Sequence, residues 1–228
     1  GERGDLRGRL GELRREILRW NRQINLVSRV DTRQRVDNLI RQGEEAGALL
    51  LGVEDVAVVV PEAVSLDVGS GAGLPGLVWA AAREAAGHPG GSVLVEPRDK
   101  RAWFLARAVR RMGLRRTAVH RARWGEGSPP PAVPGVAADG ARVLLVSLKA
   151  LALSDRDVLD GAARWDLAGV ARRVVVVRFL DPGAGGRERA ENLLAASGGA
   201  GPCEWRRAGA QVLAGEGLGL LVTSYHRP

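Results

Sequence analysis

The strongest constraint in this chain is a strand, turn, helix, strand unit between Val64 and Glu96. Val64, Leu66 and Val68 supply a β-branched and aliphatic strand, Gly69 to Gly73 turn the chain, Val78 to Ala86 continue as a helix, and Ser92 to Glu96 return as a second strand. Further short apolar runs follow at Thr117 to His120, Arg142 to Ser147 and Arg173 to Arg178. Buried strands alternating with helices predict a mainly parallel α/β sheet. Asp99 to Met112 places Ala102, Leu105, Val109 and Met112 on one side, with Gly113 behind it as a C-cap, and so reads as a crossover helix.

Ahead of this core, Leu6, Leu10, Leu13, Ile17, Trp20 and Ile24 recur at three- and four-residue steps. The opposite face of that helix carries Arg7, Arg9, Arg14, Arg15, Arg19 and Arg22. A second helix is expected from Thr32 to Leu51, ending near Gly52. The chain therefore divides into a basic helical cap over residues 1–55 and an α/β core over residues 56–228. Gly125 to Gly140 and Ser197 to Pro202 are too rich in glycine, proline and alanine for regular structure and read as loops. Trp205 to Leu213 and Leu218 to Tyr225 flank Ala214-Gly215-Glu216-Gly217, the signature of an antiparallel hairpin that closes the sheet.

Charge narrows the partners. With 34 Lys and Arg against 26 Asp and Glu, the formal net charge is +8, which favours polyanions. Only Lys100 and Lys149 are lysines, and the arginines spread along the whole chain. The lone Cys203 excludes an intramolecular disulfide and a cysteine-cluster metal site. The histidines His88, His120 and His226 are too far apart in sequence for ligand spacing. No apolar run is long enough for a membrane span, and the polar, arginine-rich start does not read as a signal peptide. These features predict a cytoplasmic monomer with no metal and no membrane partner.

The glycine turn carries the chemistry. Glycines permit positive φ and close approach of a ligand, while the helix behind them offers free N–H groups. Glu96 closes the next strand 23 residues after Gly73, where an acidic side chain accepts hydrogen bonds from ribose hydroxyls. Both NAD and S-adenosylmethionine satisfy that arrangement. Asp67, Glu96 and the three glycines also admit plain structural readings, as a loop cap, a solvated strand end and a tight turn.

Three segments together resemble one family. Trp20-Asn21-Arg22-Gln23-Ile24-Asn25-Leu26-Val27-Ser28, then LDVGSGAGLPG, then LVEPRDKRAWFLARAVRRMGL are similar to the RsmG (GidB) family. Its members are class I S-adenosylmethionine-dependent methyltransferases that act on guanine N7 of small-subunit (16S) ribosomal RNA. The resemblance runs from Leu6 to Trp124. It implies a Rossmann-like sheet with an antiparallel C-terminal hairpin, S-adenosyl-L-methionine as cofactor, and ribosomal RNA or a ribosomal subunit as partner. Asp67, Gly69, Ser70, Gly71, Ala72 and Gly73 would form the cofactor loop, Glu96 would bind the ribose, and Arg123 and Trp124 would frame the adenine. Asn21 and Asn25, with Arg19, Arg22 and Asn38, would lie where the cap meets the substrate; helix termination is the alternative role of the two asparagines.

The substrate half departs from the family pattern. A histidine-aspartate-serine motif gives way to Asp37-Asn38-Leu39-Ile40-Arg41-Gln42, an R-A-E to Arg121-Ala122-Arg123, an R-A to Leu148-Lys149-Ala150, and a lysine-glycine pair to Arg178-Phe179. Lys149, at the C-terminal end of the fourth strand, is the candidate cation for the acceptor base or a phosphate, a solvated loop lysine being the alternative reading. Methylation of guanine N7 needs no general base, and no Asn/Asp-Pro-Pro-aromatic run follows the fourth strand to receive an exocyclic amine. Further RNA contacts are expected from Arg14, Arg15, Arg110, Arg111, Arg115 and Arg116, with Trp20 as a stacking or a core residue. Two other readings compete: a degenerate relative that binds cofactor or RNA without methyl transfer, and an NAD-dependent oxidoreductase. The second lacks a Tyr-x-x-x-Lys pair, Tyr225 being the only tyrosine.

Overall fold

The computed structural model describes residues 5–53, 56, 61–132, 143–165, 171–180, 184–196, 205–215 and 218–227. Cys203, the Ser197 to Pro202 loop and the Gly125 to Gly140 loop from residue 133 onward lie outside them.

The chain begins with α1 (Leu6–Ile24) and α2 (Thr32–Leu51), followed by β1 (Val64–Val68), α3 (Gly76–Ala85), β2 (Ser92–Val95), α4 (Asp99–Arg111) and β3 (Thr117–His120). β4 (Val143–Leu148), α5 (Asp155–Arg164), β5 (Arg173–Leu180), α6 (Ala184–Ala196), β6 (Arg206–Ala214) and β7 (Gly219–His226) complete it. The seven strands form one sheet in the order β3-β2-β1-β4-β5-β7-β6. β1 to β5 are parallel, and β7 runs antiparallel to β5 and to β6. This is the mainly parallel sheet with a C-terminal antiparallel pair that the strand pattern predicts.

Burial explains the texture of the strands. Every residue of β1 and β2 is buried, as expected for parallel strands covered on both faces, which therefore read as continuous apolar runs. One face of the sheet, with Leu94, Leu145, Val175 and Val177, packs with α3, α4 and the buried stripes of α1 and α2. The other, with Leu66, Val146 and Val176, packs on Val158, Leu159 and Ala162 of α5 and on Trp165. The helical cap and the α/β core thus share one apolar cluster, and the change of texture near residue 55 is not a break between cores.

Two helices are not separately legible in the sequence. α5 shows only a short apolar stripe, and its start is fixed by a reciprocal cap in which the Ser154 hydroxyl accepts from the Asp157 N–H while the Asp157 carboxylate accepts from the Ser154 N–H. α6 opens on Ala184-Gly185-Gly186, which has poor helix propensity; packing of Ala190 against Leu180 and Leu221 supplies what propensity does not.

Candidate active site

Asp67 is the floor of the site. Its side chain is 3% exposed, lies under the turn, and accepts a hydrogen bond from the Ser147 hydroxyl of the neighbouring β4 (2.7 Å). Burial pushes its carboxyl upward; the hydroxyls of Ser147 and Ser70, the nearby Gly76 N–H and the Lys149 charge oppose the shift. The Ser70 hydroxyl donates to the Asp67 carbonyl (2.7 Å), closing the turn on itself. Asp67 is therefore placed to shape the loop from below, whereas the sequence alone sets it among the loop's ligand-facing residues.

Gly69, Gly71 and Gly73 adopt φ of 72°, 55° and 79°, the left-handed region that glycine enters at least cost. Their surroundings differ. A side chain at Gly73 would strike Leu77 and Leu105, so that glycine serves the packing of α3 and α4. At Gly71 the nearest atoms to an added Cβ are the Arg101 guanidinium at 3.7 Å and the Gly69 carbonyl at 3.8 Å, ordinary contact distances with no clash. The Gly71 N–H donates to Glu96 Oε2 (2.9 Å), and the Arg98 N–H donates to Glu96 Oε1 (3.0 Å). Glu96 thus fixes the turn to the end of β2. Each of its oxygens keeps further acceptor capacity, as a ribose diol requires. A glycine turn at positive φ beside an acid at the next strand end fits an adenosyl group.

Beside this loop lies a cavity of about 640 Å³ between α2 and the C-terminal ends of β4 and β5. Gln34, Asn38 and Gln42 line it at four-residue steps of α2, facing Lys149, Phe179 and Leu180. Val68 pairs with Leu148, so the register sets Gly69 next to Lys149 and the glycine turn next to the cavity. The Lys149 ammonium donates to Gln42 Oε1 (3.4 Å) and stands 5.3 Å from the centre of the Phe179 ring. Burial lowers Lys149 to about 8, the Asp67 carboxylate acting against the shift and Arg35 with it.

The other sequence candidates fall elsewhere. Asn21 is buried, and its side-chain oxygen accepts the Val27 N–H (2.8 Å). Asn25 ends α1 in the left-handed conformation, its N–H returning to the Asn21 carbonyl. Both terminate the helix. The Asn25 carbonyl also accepts from Arg101 (3.1 Å), which ties the end of α1 to the start of α4. Arg19 lies over Trp20 and Arg22 is exposed; neither lines the cavity. Trp20 is half-buried, stacking edge-on against Trp103 at 4.8 Å.

Trp124 is engaged by α5. Its indole N–H reaches the Asp157 and Val158 carbonyls (both 3.2 Å), and its ring packs against Trp165 and Gly161. Arg123 is exposed. Half of the eight arginines expected to meet RNA have partners within the protein. Arg14 pairs with Asp37, Arg15 and Arg111 with Glu12, and the Arg116 guanidinium donates to the Pro89 carbonyl. The basic stripe of α1 is legible in the sequence; the acids that neutralise it come largely from facing helices.

Sequence reasoning missed Gln34, Gln42 and Phe179. The four-residue amide step through Asn38 is the signal that could have found the first two. Among the described residues, no group of three His, Cys, Asp or Glu side chains could hold a metal ion, and no helix is long and apolar enough to cross a membrane.

The family described as rRNA small subunit methyltransferase G (GidB) matches residues 8–138. The ribosomal RNA small subunit methyltransferase G of Nitratidesulfovibrio vulgaris (strain DP4) is 36% identical over 118 residues, which are 51% of this chain and 50% of that protein. Its counterpart in Leifsonia xyli subsp. xyli is 40% identical over 98 residues, covering 38% of this chain and 45% of that one. The chain spans about half the length of these curated relatives. A solved structure of a mutant of MtNAS shares the fold, with a TM-score of 0.52 at 16% identity over 98% of this chain and 71% of that one. The match over residues 8–138 takes in the cap, the glycine turn and Glu96, and on that extent the chain belongs to the rRNA small subunit methyltransferase G (GidB) family.

Proposed function

We propose that this chain is an S-adenosylmethionine-dependent RNA methyltransferase that modifies guanine N7 in small-subunit (16S) ribosomal RNA, acting as a cytoplasmic monomer on free RNA or a ribosomal subunit. The observation that carries the reading is the register of β1 and β4, which sets the glycine turn and the Lys149 cavity side by side. Family membership and the surplus of positive charge support it.

When bound, the sulfonium cofactor supplies an activated methyl group. In-line transfer requires donor and acceptor to be aligned with water excluded, and no proton has to leave guanine N7. In this reading the Gly69 to Gly73 backbone and Glu96 hold the adenosyl part, while Ser147 and Asp67 fix the turn from below. The amides of Gln34, Asn38 and Gln42 face the base and offer carbonyl oxygens to its N–H groups. Lys149 offers a cation to guanine O6 or a neighbouring phosphate, and Phe179 gives a ring for stacking.

The test is to incubate the protein with S-adenosylmethionine and unmodified 16S ribosomal RNA, map methylated guanines, and titrate S-adenosylhomocysteine and NAD calorimetrically. Methyl transfer to a single guanine, lost in Glu96→Ala, is the expected result. Adenosyl-ligand binding without transfer would favour a degenerate binder, and NAD binding alone would favour an oxidoreductase.

A further inference from the structure

The far end of the sheet gathers positive charge that the reaction site does not use. Pairing sets Arg173 of β5 opposite His226 of β7, and His226 opposite Arg206 of β6. Directly paired residues point to the same face, and strands lie about 4.8 Å apart, so Arg173 and Arg206 stand in one row about 10 Å wide with His226 between them. Arg207 pairs with Tyr225 and points to the opposite face, where its guanidinium also donates to the Leu194 carbonyl (3.2 Å). The Arg227 N–H bonds the Arg172 carbonyl, bringing Arg172 to the same corner, and the Arg227 guanidinium lies over the Trp205 ring.

Unlike Arg14, Arg15, Arg107 and Arg111, none of Arg172, Arg173, Arg206 and Arg207 takes part in an ion pair found among the described residues. β6 is an edge strand exposed from Arg206 to Val212, so among the described residues this edge faces solvent. Ala208, Gly209 and Ala210 beside the arginines supply no bulky apolar anchor of the kind a bilayer interface takes. Guanidinium groups on both faces of an open sheet end suit a phosphate backbone.

We propose that this arginine rim, where β5 and β6 begin and β7 ends, is a second RNA-binding surface that grips phosphates at a distance from the reacting base. The proposal rests on the reading of the chain as an RNA enzyme. From Arg173 to Leu180, which lines the cavity, β5 advances about 23 Å at about 3.3 Å per residue. An RNA engaged at both places spans the height of the sheet. The rim reads no sequence; it fixes orientation and adds salt-dependent affinity.

The experiment compares wild type with an Arg172→Gln/Arg206→Gln/Arg207→Gln variant in binding a labelled RNA hairpin across a salt series, without cofactor. Each phosphate that the protein no longer neutralises takes roughly 0.7 to 0.9 from the slope of log K against log salt. The triple variant is expected to lose about 2 from the slope and about ten-fold or more in affinity at physiological salt. Its thermal unfolding and S-adenosylhomocysteine affinity stay at wild-type values, and the matching triple Lys variant keeps the wild-type slope. An unchanged slope and affinity would overturn the rim. So would a variant that loses binding to phosphatidylserine vesicles while keeping RNA. Wild-type protein that binds RNA with the expected slope but transfers no methyl group would overturn the proposed reaction and leave the rim standing.

Discussion

At the scale of single residues, Lys149 is the group whose chemistry follows most directly from its position. Burial beside Phe179 and Gln42 lowers it to about 8, against 10.5 for an ordinary lysine. Between those values the unfolded chain holds a proton that the folded chain has released, so folding stability rises with pH through that window. Function follows the opposite sign. The cation that would meet guanine O6 or phosphate is present below pH 8 and fades above it, so KM for RNA is expected to rise as pH passes through about 8. Lys149→Arg keeps its charge and removes the inflection. Lys149→Met removes it too and lowers kcat/KM by about 10- to 100-fold, the range for removing a charged hydrogen bond. A pH profile in Lys149→Met that matches wild type would sink the role. The sequence marks Lys149 and Asn38 because strand ends and cap positions are predictable. Gln42 is recognisable as a partner only after α2 has packed across the β4 end. The contacts of Trp124 are not legible in the sequence because its neighbours along the chain do not reveal which way an indole turns.

At the scale of elements, α5 decides where that indole goes. Its capping box orders the chain from Ser154, and Gly161 leaves room for the Trp124 ring. Asp155, one residue in, is buried against Arg178, Tyr225 and Thr223, which fastens α5 to β5 and β7. The Arg178 guanidinium also donates to the Leu153 carbonyl (2.9 Å), holding the segment that leads from Lys149 into the helix. Ser154→Ala is therefore expected to cost about 1 kcal/mol in denaturant unfolding. Trp124→Phe separates the two roles considered for that ring. As a packing residue it loses about 1–3 kcal/mol of stability through the missing hydrogen bond and volume, while S-adenosylhomocysteine affinity stays within a few-fold of wild type. A large affinity loss at unchanged stability would restore the adenine-framing role. Strand positions are legible in the sequence because parallel strands are apolar throughout; α5 is not, because its identity lies in a cap and a buried ion pair rather than in a long periodic stripe.

At the scale of the molecule, the cap and the sheet are packed as one object. Leu13 and Ile17 of α1 are fully buried in the cluster that includes Phe104, Leu105 and Val175. Around that core Glu16 accepts from Arg107 (2.6 Å), and Arg111 reaches Glu12 (2.8 Å). The Arg101 guanidinium bonds the last turn of α1 while standing near Gly71, so docking of the cap also braces the glycine turn. A cap that merely rested on a finished core would melt first and leave the turn intact. The shared cluster demands instead that both unfold together. Leu13→Ala is expected to cost about 2–5 kcal/mol, to lower the midpoint of a single calorimetric transition, and to weaken S-adenosylhomocysteine binding although Leu13 lies on α1 rather than in the turn. If the variant shows two separated transitions, with only the earlier one shifted and ligand affinity unchanged, the cap is an independent unit and the bracing through Arg101 carries no energy.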